Sequence, residues 1–242
     1  GTFCIYGSKS CGCGMWKRLY IKRKSVEKMG IKGIIFDLDG VLVFTDKFHY
    51  RAWKAIQDEM GIYFDEKINN RLRGVSRMDS LEIILERYEG KLLTMAEKVS
   101  LAEKKNQIYR ELLRTMTPED VSEEVRDTLK KLHVDGFKLA IGSSSKNTKF
   151  ILEKVELIDA FDAVSDGTNI TRSKPDPEVF QKAAKYLRVA PEECAVVEDA
   201  FAGIDAAKSG GMYAIGIGEA SKYEKADAHI EEFAELTEIL EK

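Results

Sequence analysis

The stretch of sequence that most constrains the fold is an apolar run that ends in two aspartates. The run Ile-Ile-Phe at 34–36 is followed by Asp37 and, two residues later, by Asp39 and Gly40. A β-branched and aromatic run bounded by turn signals is typical of a buried parallel strand. The carboxylates then fall where the strand gives way to a loop, which is where ligands bind in an open α/β sheet. The alternative is a strand that ends in an exposed acidic turn.

A second apolar run ends in the same way. Residues 194–197 lead into Glu198 and Asp199, so a parallel sheet would bring these acids to the same edge as Asp37 and Asp39. Four carboxylates at one edge repel one another unless a cation relieves the charge. Oxygen ligands beside a phosphate group indicate Mg²⁺. We therefore predict a magnesium site at this edge, with an acidic surface as the alternative.

Strand and helix patterns alternate through the second half of the chain. Apolar runs predict strands at 137–141, 161–165, 194–199 and 212–217. Helical patterns separate these runs, and a helix rich in Glu and Leu closes the sequence. This alternation predicts an α/β fold, a doubly wound (Rossmann-like) parallel sheet with helices on both faces. The spatial order of the strands is not readable from the pattern.

Between the first strand and this alternating region, the pattern is helical throughout. Apolar residues recur at three- and four-residue steps from Phe48 to Met60, and Gly61 ends that helix. Three further helical patterns follow before residue 116, and the first of them breaks near Gly74. We therefore predict a small α-helical cap inserted after the first strand, with a hinge at each connection. The predicted division is a core of residues 30–44 and 117–242, a cap of residues 45–116 and a flexible basic extension of residues 1–29.

The first 29 residues differ in composition from the rest. They contain seven Lys or Arg and one Glu, a charge of +6, which leaves −9 for the remainder of a chain whose total is −3. They lack a sustained apolar stretch before a small-residue cleavage site, so they do not resemble a secretory signal. We interpret them as a flexible extension. The alternatives are a metal site on Cys4, Cys11 and Cys13 and a basic patch for a membrane surface.

Charge and cysteine usage exclude several classes of partner. The acidic body of the chain argues against nucleic acid as a partner, and no apolar run approaches the roughly 18 residues of a membrane span. Cys194 lies in an apolar strand pattern, where a free thiol behaves as a small hydrophobe. We therefore expect a reduced, cytoplasmic protein without a membrane partner.

Two loops after predicted strands have the composition of anion-binding sites. The segment Ser-Ser-Ser-Lys-Asn at 143–147 leads into a helix, so hydroxyl and backbone N–H groups converge there. Ordinary helix capping explains the same residues. Lys174 is followed by Pro175 and Pro177, which stiffen its loop. A fixed ammonium can neutralise a transferring phosphoryl group, whereas a lone loop lysine is usually solvated.

The aspartate segment at 37–40 resembles the D-x-D-G motif of the haloacid dehalogenase-like phosphotransferases. Together with the segment Thr-Asp-Lys-Phe-His-Tyr-Arg-Ala-Trp at 45–53, it is similar to the β-phosphoglucomutase family. The resemblance extends from about Ile31 to the C-terminus. It implies that the first strand is central in the sheet and that the chain is a Mg²⁺-dependent enzyme acting on a sugar phosphate.

The resemblance also implies roles for individual residues. Asp37 is then the nucleophile that forms an aspartyl-phosphate, and Asp39 is the general acid and base. Lys174 stabilises the phosphoryl oxygens, and Thr45 and His49 support the reacting groups; a structural imidazole is the alternative for His49. The implied Mg²⁺ ligands are Asp37, the Asp39 carbonyl, Glu198 and Asp199, and the implied phosphate ligands are Ser143, Ser144, Ser145, Lys146 and Asn147.

In the cap, the resemblance implies a loop that grips the phosphate that is not being transferred. Arg77 is its central cation, because a guanidinium can bind phosphate through two hydrogen bonds. On the pattern alone, Arg77 is a solvated residue at a helix start. A polar helix face and ordinary cap packing are the alternatives for the more distant positions. The implied substrate contacts in the cap are Gly74, Val75, Ser76, Arg77, Ser80, Trp53, Leu72, Lys105 and Asn106.

The sequence departs from the family pattern at Phe44, where relatives often carry Asp, so the detail of the hinge is open. The implied function is the interconversion of β-glucose 1-phosphate and glucose 6-phosphate through a 1,6-bisphosphate, and we expect a monomer. One alternative is a sugar-phosphate or phosphoglycolate-type phosphatase, which uses the same core and admits water. The other is a sugar-phosphate sensor without catalytic activity.

Overall fold

The computed structural model describes residues 30–72 and 75–240. The predicted extension at 1–29 and Gly74 lie outside these ranges. Within the described residues, no helix is both long and apolar enough to cross a membrane.

A parallel sheet forms the centre of the described chain, with the spatial order β3-β2-β1-β4-β5-β6. This order puts β1 between β2 and β4, so the prediction of a doubly wound sheet with a central first strand is confirmed. The sixth strand was not predicted, because two residues are too short to show a pattern. The strands are β1 (Gly33–Phe36), β2 (Lys138–Gly142), β3 (Ala163–Ser165), β4 (Cys194–Glu198), β5 (Tyr213–Gly216) and β6 (Ala228–His229).

Helices cover both faces of the sheet, and alternate residues of β1 face opposite layers. Ile34 and Phe36 belong to one buried cluster, whereas Ile35 belongs to the other. This two-residue alternation is the ordinary geometry of a strand, and burial on both faces explains why the strand is apolar throughout. The first four helices of the described chain lie in the segment after β1. The helices that flank the sheet are α5 (Glu123–Val134), α6 (Thr148–Lys154), α7 (Glu178–Leu187), α8 (Phe201–Ser209) and α9 (Leu236–Ile239).

Four helices lie between β1 and α5, and we call this segment, residues 46–113, the cap. Its second helix is shorter than the pattern indicated and ends at Asn70 rather than near Gly74. Its fourth helix ends at Leu113 rather than Met116. Trp53, Leu81 and other apolar side chains form a buried cluster inside the cap. The helices are α1 (Asp46–Met60), α2 (Glu66–Asn70), α3 (Arg77–Leu85) and α4 (Met95–Leu113).

The register of the sheet aligns the carboxyl ends of the three central strands. Phe36 at the end of β1 pairs with Ile141 of β2 on one side and with Val197 of β4 on the other. The residues that follow Phe36, Ile141 and Val197 therefore lie at the same edge of the sheet. The fold thus gathers Asp37 and Glu198 with the loop that follows β2.

Candidate active site

Lys174 lies between two carboxylates at this edge. Its Nζ is 2.6 Å from Oδ1 of Asp37 and 2.5 Å from Oε1 of Glu198, and all three residues are buried. Burial by itself lowers the pKa of Lys174, but the two carboxylates outweigh it and raise that pKa above its ordinary value. The side chain is therefore a fixed ammonium at neutral pH.

Three carboxylates here have the geometry of a metal site. Asp37, Glu198 and Asp199 each offer one oxygen, and these atoms lie within 4.8 Å of one another. When all three carboxylates are ionised, the one ammonium of Lys174 leaves a net charge of −2, which a divalent ion would neutralise. Burial, followed by the charges of Glu198 and Asp37, raises the pKa of Asp199 to about 8. An oxygen donor set with excess negative charge fits a hard divalent cation.

Two glycines allow these acids to approach so closely. Gly40 has φ +89°, and a Cβ at this position would lie 2.1 Å from Oδ2 of Asp199. A Cβ on Gly203, in the first turn of α8, would lie 1.9 Å from Oε1 of Glu198. Neither position has room for a side chain, so both glycines are part of the construction of the site.

Asp39 is turned toward the start of the cap and is separate from the three clustered acids. Its carboxylate accepts hydrogen bonds from the Thr45 backbone N–H at 2.8 Å and from the Thr45 hydroxyl at 2.6 Å. Burial raises the pKa of Asp39 to about 7, although the Thr45 bonds oppose the change. The expected metal contact through the Asp39 carbonyl stays a prediction.

His49 links Asp39 to a buried lysine of the cap. Nε2 of His49 lies 3.6 Å from the Asp39 carboxylate, and Nδ1 lies 2.8 Å from Nζ of Lys105. When Lys105 is an ammonium, its nitrogen donates, so Nδ1 accepts and the proton of the neutral ring lies on Nε2, facing Asp39. Burial, and then the charges of Lys105 and Arg77, hold the pKa of His49 well below its usual value. Burial, and then Arg77, lower the pKa of Lys105 to about 7.

Tyr109 is a member of this network that the sequence analysis missed. Its hydroxyl lies 2.9 Å from the Thr45 hydroxyl, and its ring packs against His49 with 4.1 Å between ring centroids. Tyr109 stands one helical turn after Lys105 on α4. This i, i+4 relation to a predicted site residue was the signal that could have revealed it.

The loop after β2 presents hydroxyl and amide groups to the same space. The Ser145 N–H donates to the Ser143 hydroxyl, and the Asn147 N–H donates to the Ser145 hydroxyl. The Ser144 hydroxyl is buried and has no hydrogen-bond partner within residues 30–72 and 75–240. A buried hydroxyl without a partner is costly, so its presence on the cavity wall suits an anionic ligand.

A cavity of about 730 Å³ lies between the strand ends and the cap. Arg77 opens α3 and is half-buried on the cap side, after Ser76, whose hydroxyl accepts the Asp79 N–H at 3.2 Å. Burial lowers the pKa of Arg77, although Glu103 opposes the change. The cap therefore offers a cation across the cavity from Lys174.

The cavity brings together the predicted residues from both halves of the fold, with two exceptions. Thr45 is fully buried beside Asp39 and is not on the wall, and Gly74 lies outside the described residues. The predicted residues on the wall are Asp37, Asp39, His49, Trp53, Leu72, Val75, Ser76, Arg77, Ser80, Lys105, Asn106, Ser143, Ser144, Ser145, Lys146, Asn147, Lys174, Glu198 and Asp199.

The family profile of haloacid dehalogenase-like hydrolases matches residues 31–211. The chain belongs to this family and is an enzyme. The match covers the aspartate segment, the cap and the lysine loop, and it ends after the acidic pair.

The chain is also similar to individual proteins. The β-phosphoglucomutase of Bacillus subtilis is 42% identical over 209 residues, which cover 86% of this chain and 92% of that protein. A phosphorylated carbohydrates phosphatase of Thermotoga maritima is 30% identical over 184 residues, covering 75% and 82%. The crystal structure of the β-phosphoglucomutase of Clostridium difficile has a TM-score of 0.80 and 36% identity, covering 85% of this chain and 93% of that one. The resemblance to the β-phosphoglucomutase family is thus confirmed.

Proposed function

We propose that this enzyme is a β-phosphoglucomutase, which interconverts β-glucose 1-phosphate and glucose 6-phosphate through an aspartyl-phosphate and a 1,6-bisphosphate. The observation that carries the proposal is a single cavity with groups suited to a phosphate at two ends. Lys174 and the Ser143 loop lie at the core end, and Arg77 lies in the cap. A sugar bisphosphate needs both ends. The 42% identity to the Bacillus subtilis protein supports the same function.

Asp37 is the nucleophile in this proposal. Its carboxylate attacks phosphorus, the bond from phosphorus to the sugar oxygen breaks, and the phosphoryl group is held as an acyl phosphate. Lys174, already 2.6 Å from Asp37, neutralises charge on the phosphoryl oxygens without having to move. The Ser143 and Ser144 hydroxyls are donors for the same oxygens, and so is the second N–H of the Asn147 side-chain amide, whose first N–H is bonded to Asn106.

Asp39 is the proton carrier. An acid or base works best when its pKa is near the working pH, and the pKa of Asp39 is about 7. Asp39 protonates the sugar oxygen that leaves when Asp37 is phosphorylated. In the other half-reaction it removes the proton from the hydroxyl that attacks the aspartyl-phosphate. Thr45 fixes the carboxylate, and His49 presents a neutral N–H beside it.

We infer that the divalent ion is Mg²⁺. Asp37, Glu198 and Asp199 would hold it, with the Asp39 carbonyl as a further ligand, because this donor set is made of oxygens alone. When bound, the ion would neutralise the clustered carboxylates and part of the charge of the phosphoryl group.

The cap, residues 45–116 in the proposed division, supplies the distal phosphate site and excludes water. The bisphosphate must be held in two orientations, and Arg77 can bind either of its phosphates while the other faces Asp37. Trp53 and Leu72 provide apolar wall beside the sugar. Exclusion of water matters because an acyl phosphate is hydrolysed when water reaches it.

A phosphatase on the same core is the second candidate. The Thermotoga maritima relative, 30% identical, is named as a phosphatase of phosphorylated carbohydrates. The same nucleophile, ammonium and acid would serve that reaction, with water as the acceptor. The two functions differ in what attacks the aspartyl-phosphate.

We further infer that the enzyme works as a monomer in the cytoplasm. The support for the cytoplasm is chemical: Cys194 is a free, buried thiol, as expected in a reducing compartment. The monomer stays a prediction.

The test uses β-glucose 1-phosphate, Mg²⁺ and a trace of β-glucose 1,6-bisphosphate, with glucose 6-phosphate and free phosphate followed in the same tube. The mutase produces glucose 6-phosphate without a matching release of phosphate. Release of phosphate instead would overturn the mutase and leave the phosphatase. The control is Asp37→Asn, which should abolish both products while sugar-phosphate binding persists; loss of both products without loss of binding also excludes a sensor.

A further inference from the structure

Two contacts join one face of α4 in the cap to the start of α6 in the core. The Asn147 side-chain N–H donates to Oδ1 of Asn106 at 2.8 Å. One turn further along α4, the guanidinium of Arg110 lies 4.8 Å from the ring centroid of Phe150. Residues 106 and 110 are four apart and residues 147 and 150 are three apart, so each pair lies on one side of its helix.

Asn147 departs from the usual behaviour of its position. It is the N-cap residue of α6, where an asparagine side chain commonly accepts a backbone N–H of the first turn. Here the side chain makes no such bond and reaches across to the cap instead. Asn147 is also buried. A local helix-stabilising bond is thus replaced by a contact between the cap and the loop at residues 143–147, which we call the phosphate loop.

Arg110 and Phe150 form the outer of the two contacts. Arg110 is exposed, and Phe150 packs against the main apolar cluster of the core, which fixes the ring. A second cavity of about 410 Å³ is lined by Arg110, Lys146 and Asn147. This cavity borders the outside of the phosphate loop, so Arg110 lines a route by which water can approach that loop.

We propose that the Asn106–Asn147 and Arg110–Phe150 contacts form a latch, which holds the cap against the phosphate loop and sets how much of the aspartyl-phosphate is lost to water. In that loss, a water oxygen attacks phosphorus, the bond to Asp37 breaks, and inorganic phosphate leaves as the carboxylate is restored. The latch rests on the proposed function. Arg110 is a positioning residue, because it acts through the cap and not on the substrate.

The variant that tests the latch is Arg110→Gln, because the residue is exposed and the change spares the core. A cation–π contact at an exposed site corresponds to about a twofold to fivefold change in an equilibrium. The ratio of free phosphate to glucose 6-phosphate should rise by that factor. Arg110→Lys keeps a cation over Phe150, so its ratio should lie close to the wild-type value. Arg114→Gln, at the end of the same helix and paired with Glu111, is the matched control and should leave the ratio unchanged.

A second measurement tests the latch by the opening of the phosphate loop and does not depend on catalysis. Hydrogen–deuterium exchange of the amides at 143–151 should be about twofold to fivefold faster in Arg110→Gln than in Arg114→Gln, because a loosened contact opens more often. In a Phe150→Leu background, Arg110→Gln should add nothing. If Arg110→Gln matches Arg114→Gln in both measurements, the latch is overturned. If the wild type releases only phosphate while the exchange difference persists, the mutase proposal fails together with the effect on the product ratio, whereas the contact between the cap and the phosphate loop stands.

Discussion

Replacing Lys174 with Met should destabilise the protein strongly. The Lys174 side chain is 2% exposed, and its partners Asp37 and Glu198 are 11% and 1% exposed. Removing one partner of a buried ion pair costs ~3–5 kcal/mol, because the remaining charge stays buried without compensation. Since proteins of this kind unfold with a total of roughly 5–15 kcal/mol, the loss would be a large part of the stability.

The loss should also depend on pH. Without the ammonium, the carboxylates of Asp37 and Glu198 have no positive partner, so their protonation becomes favourable in the folded protein. The folded variant then binds more protons than its unfolded chain, so its stability falls as the pH rises. Lys174→Met should therefore be closest to the wild type at about pH 5 and furthest from it at about pH 8.

The assay is urea unfolding followed by far-ultraviolet circular dichroism, in EDTA, at several pH values. The matched control is Lys130→Met, which removes an ion pair to Asp127 whose side chains are both 75% exposed. That change should not shift the unfolding midpoint measurably. A loss below about 1 kcal/mol for Lys174→Met at pH 8, or equal shifts for the two variants, would refute the argument from burial.

Two further predictions concern the acids of the site. Thr45→Val removes the hydroxyl bond that lowers the pKa of Asp39, so the acid limb of the kcat/KM profile should move to higher pH; Thr45→Ser should leave it in place. Gly40→Ala should weaken Mg²⁺ binding in a calorimetric titration, because its Cβ would collide with Asp199. Gly61→Ala is the control for backbone strain, because φ is +67° with nothing within 4 Å. The strain of about 1–2 kcal/mol is common to both variants, whereas the collision with Asp199 occurs only in Gly40→Ala. Equal metal affinity in the two would contradict the assignment.

The acidic edge of the site could be predicted from sequence because strand ends carry strong local signals. Asp37 and Glu198 each end an apolar run, and a parallel sheet brings such ends together whatever the detail of the loops. Lys174 could be predicted for a similar reason, since the flanking prolines restrict its loop. Only the fold could show that its ammonium lies between the two acids.

Other features depend on contacts that no local pattern records. The bonding of Asp39 to Thr45, and of Thr45 to Tyr109, joins the strand end to a cap helix far along the chain. The contact of Asn147 with the cap could not be predicted for the same reason: helix capping was the local alternative to phosphate binding, and the side chain bonds to Asn106, which is distant in sequence. The strand β6 was missed because two residues are too few to show a strand pattern. They form a strand because they pair with β5.

The measurement that tests the central claim most directly follows the phosphoryl group itself. The enzyme is given β-glucose 1-phosphate labelled with ³²P, together with unlabelled bisphosphate and Mg²⁺, quenched in acid and digested. Transfer of the 1-phosphate to the enzyme should leave the label on the peptide that contains Asp37, and Asp37→Asn should carry none. Glucose 6-phosphate formed with no label on that peptide, or with label on another residue, would contradict the account.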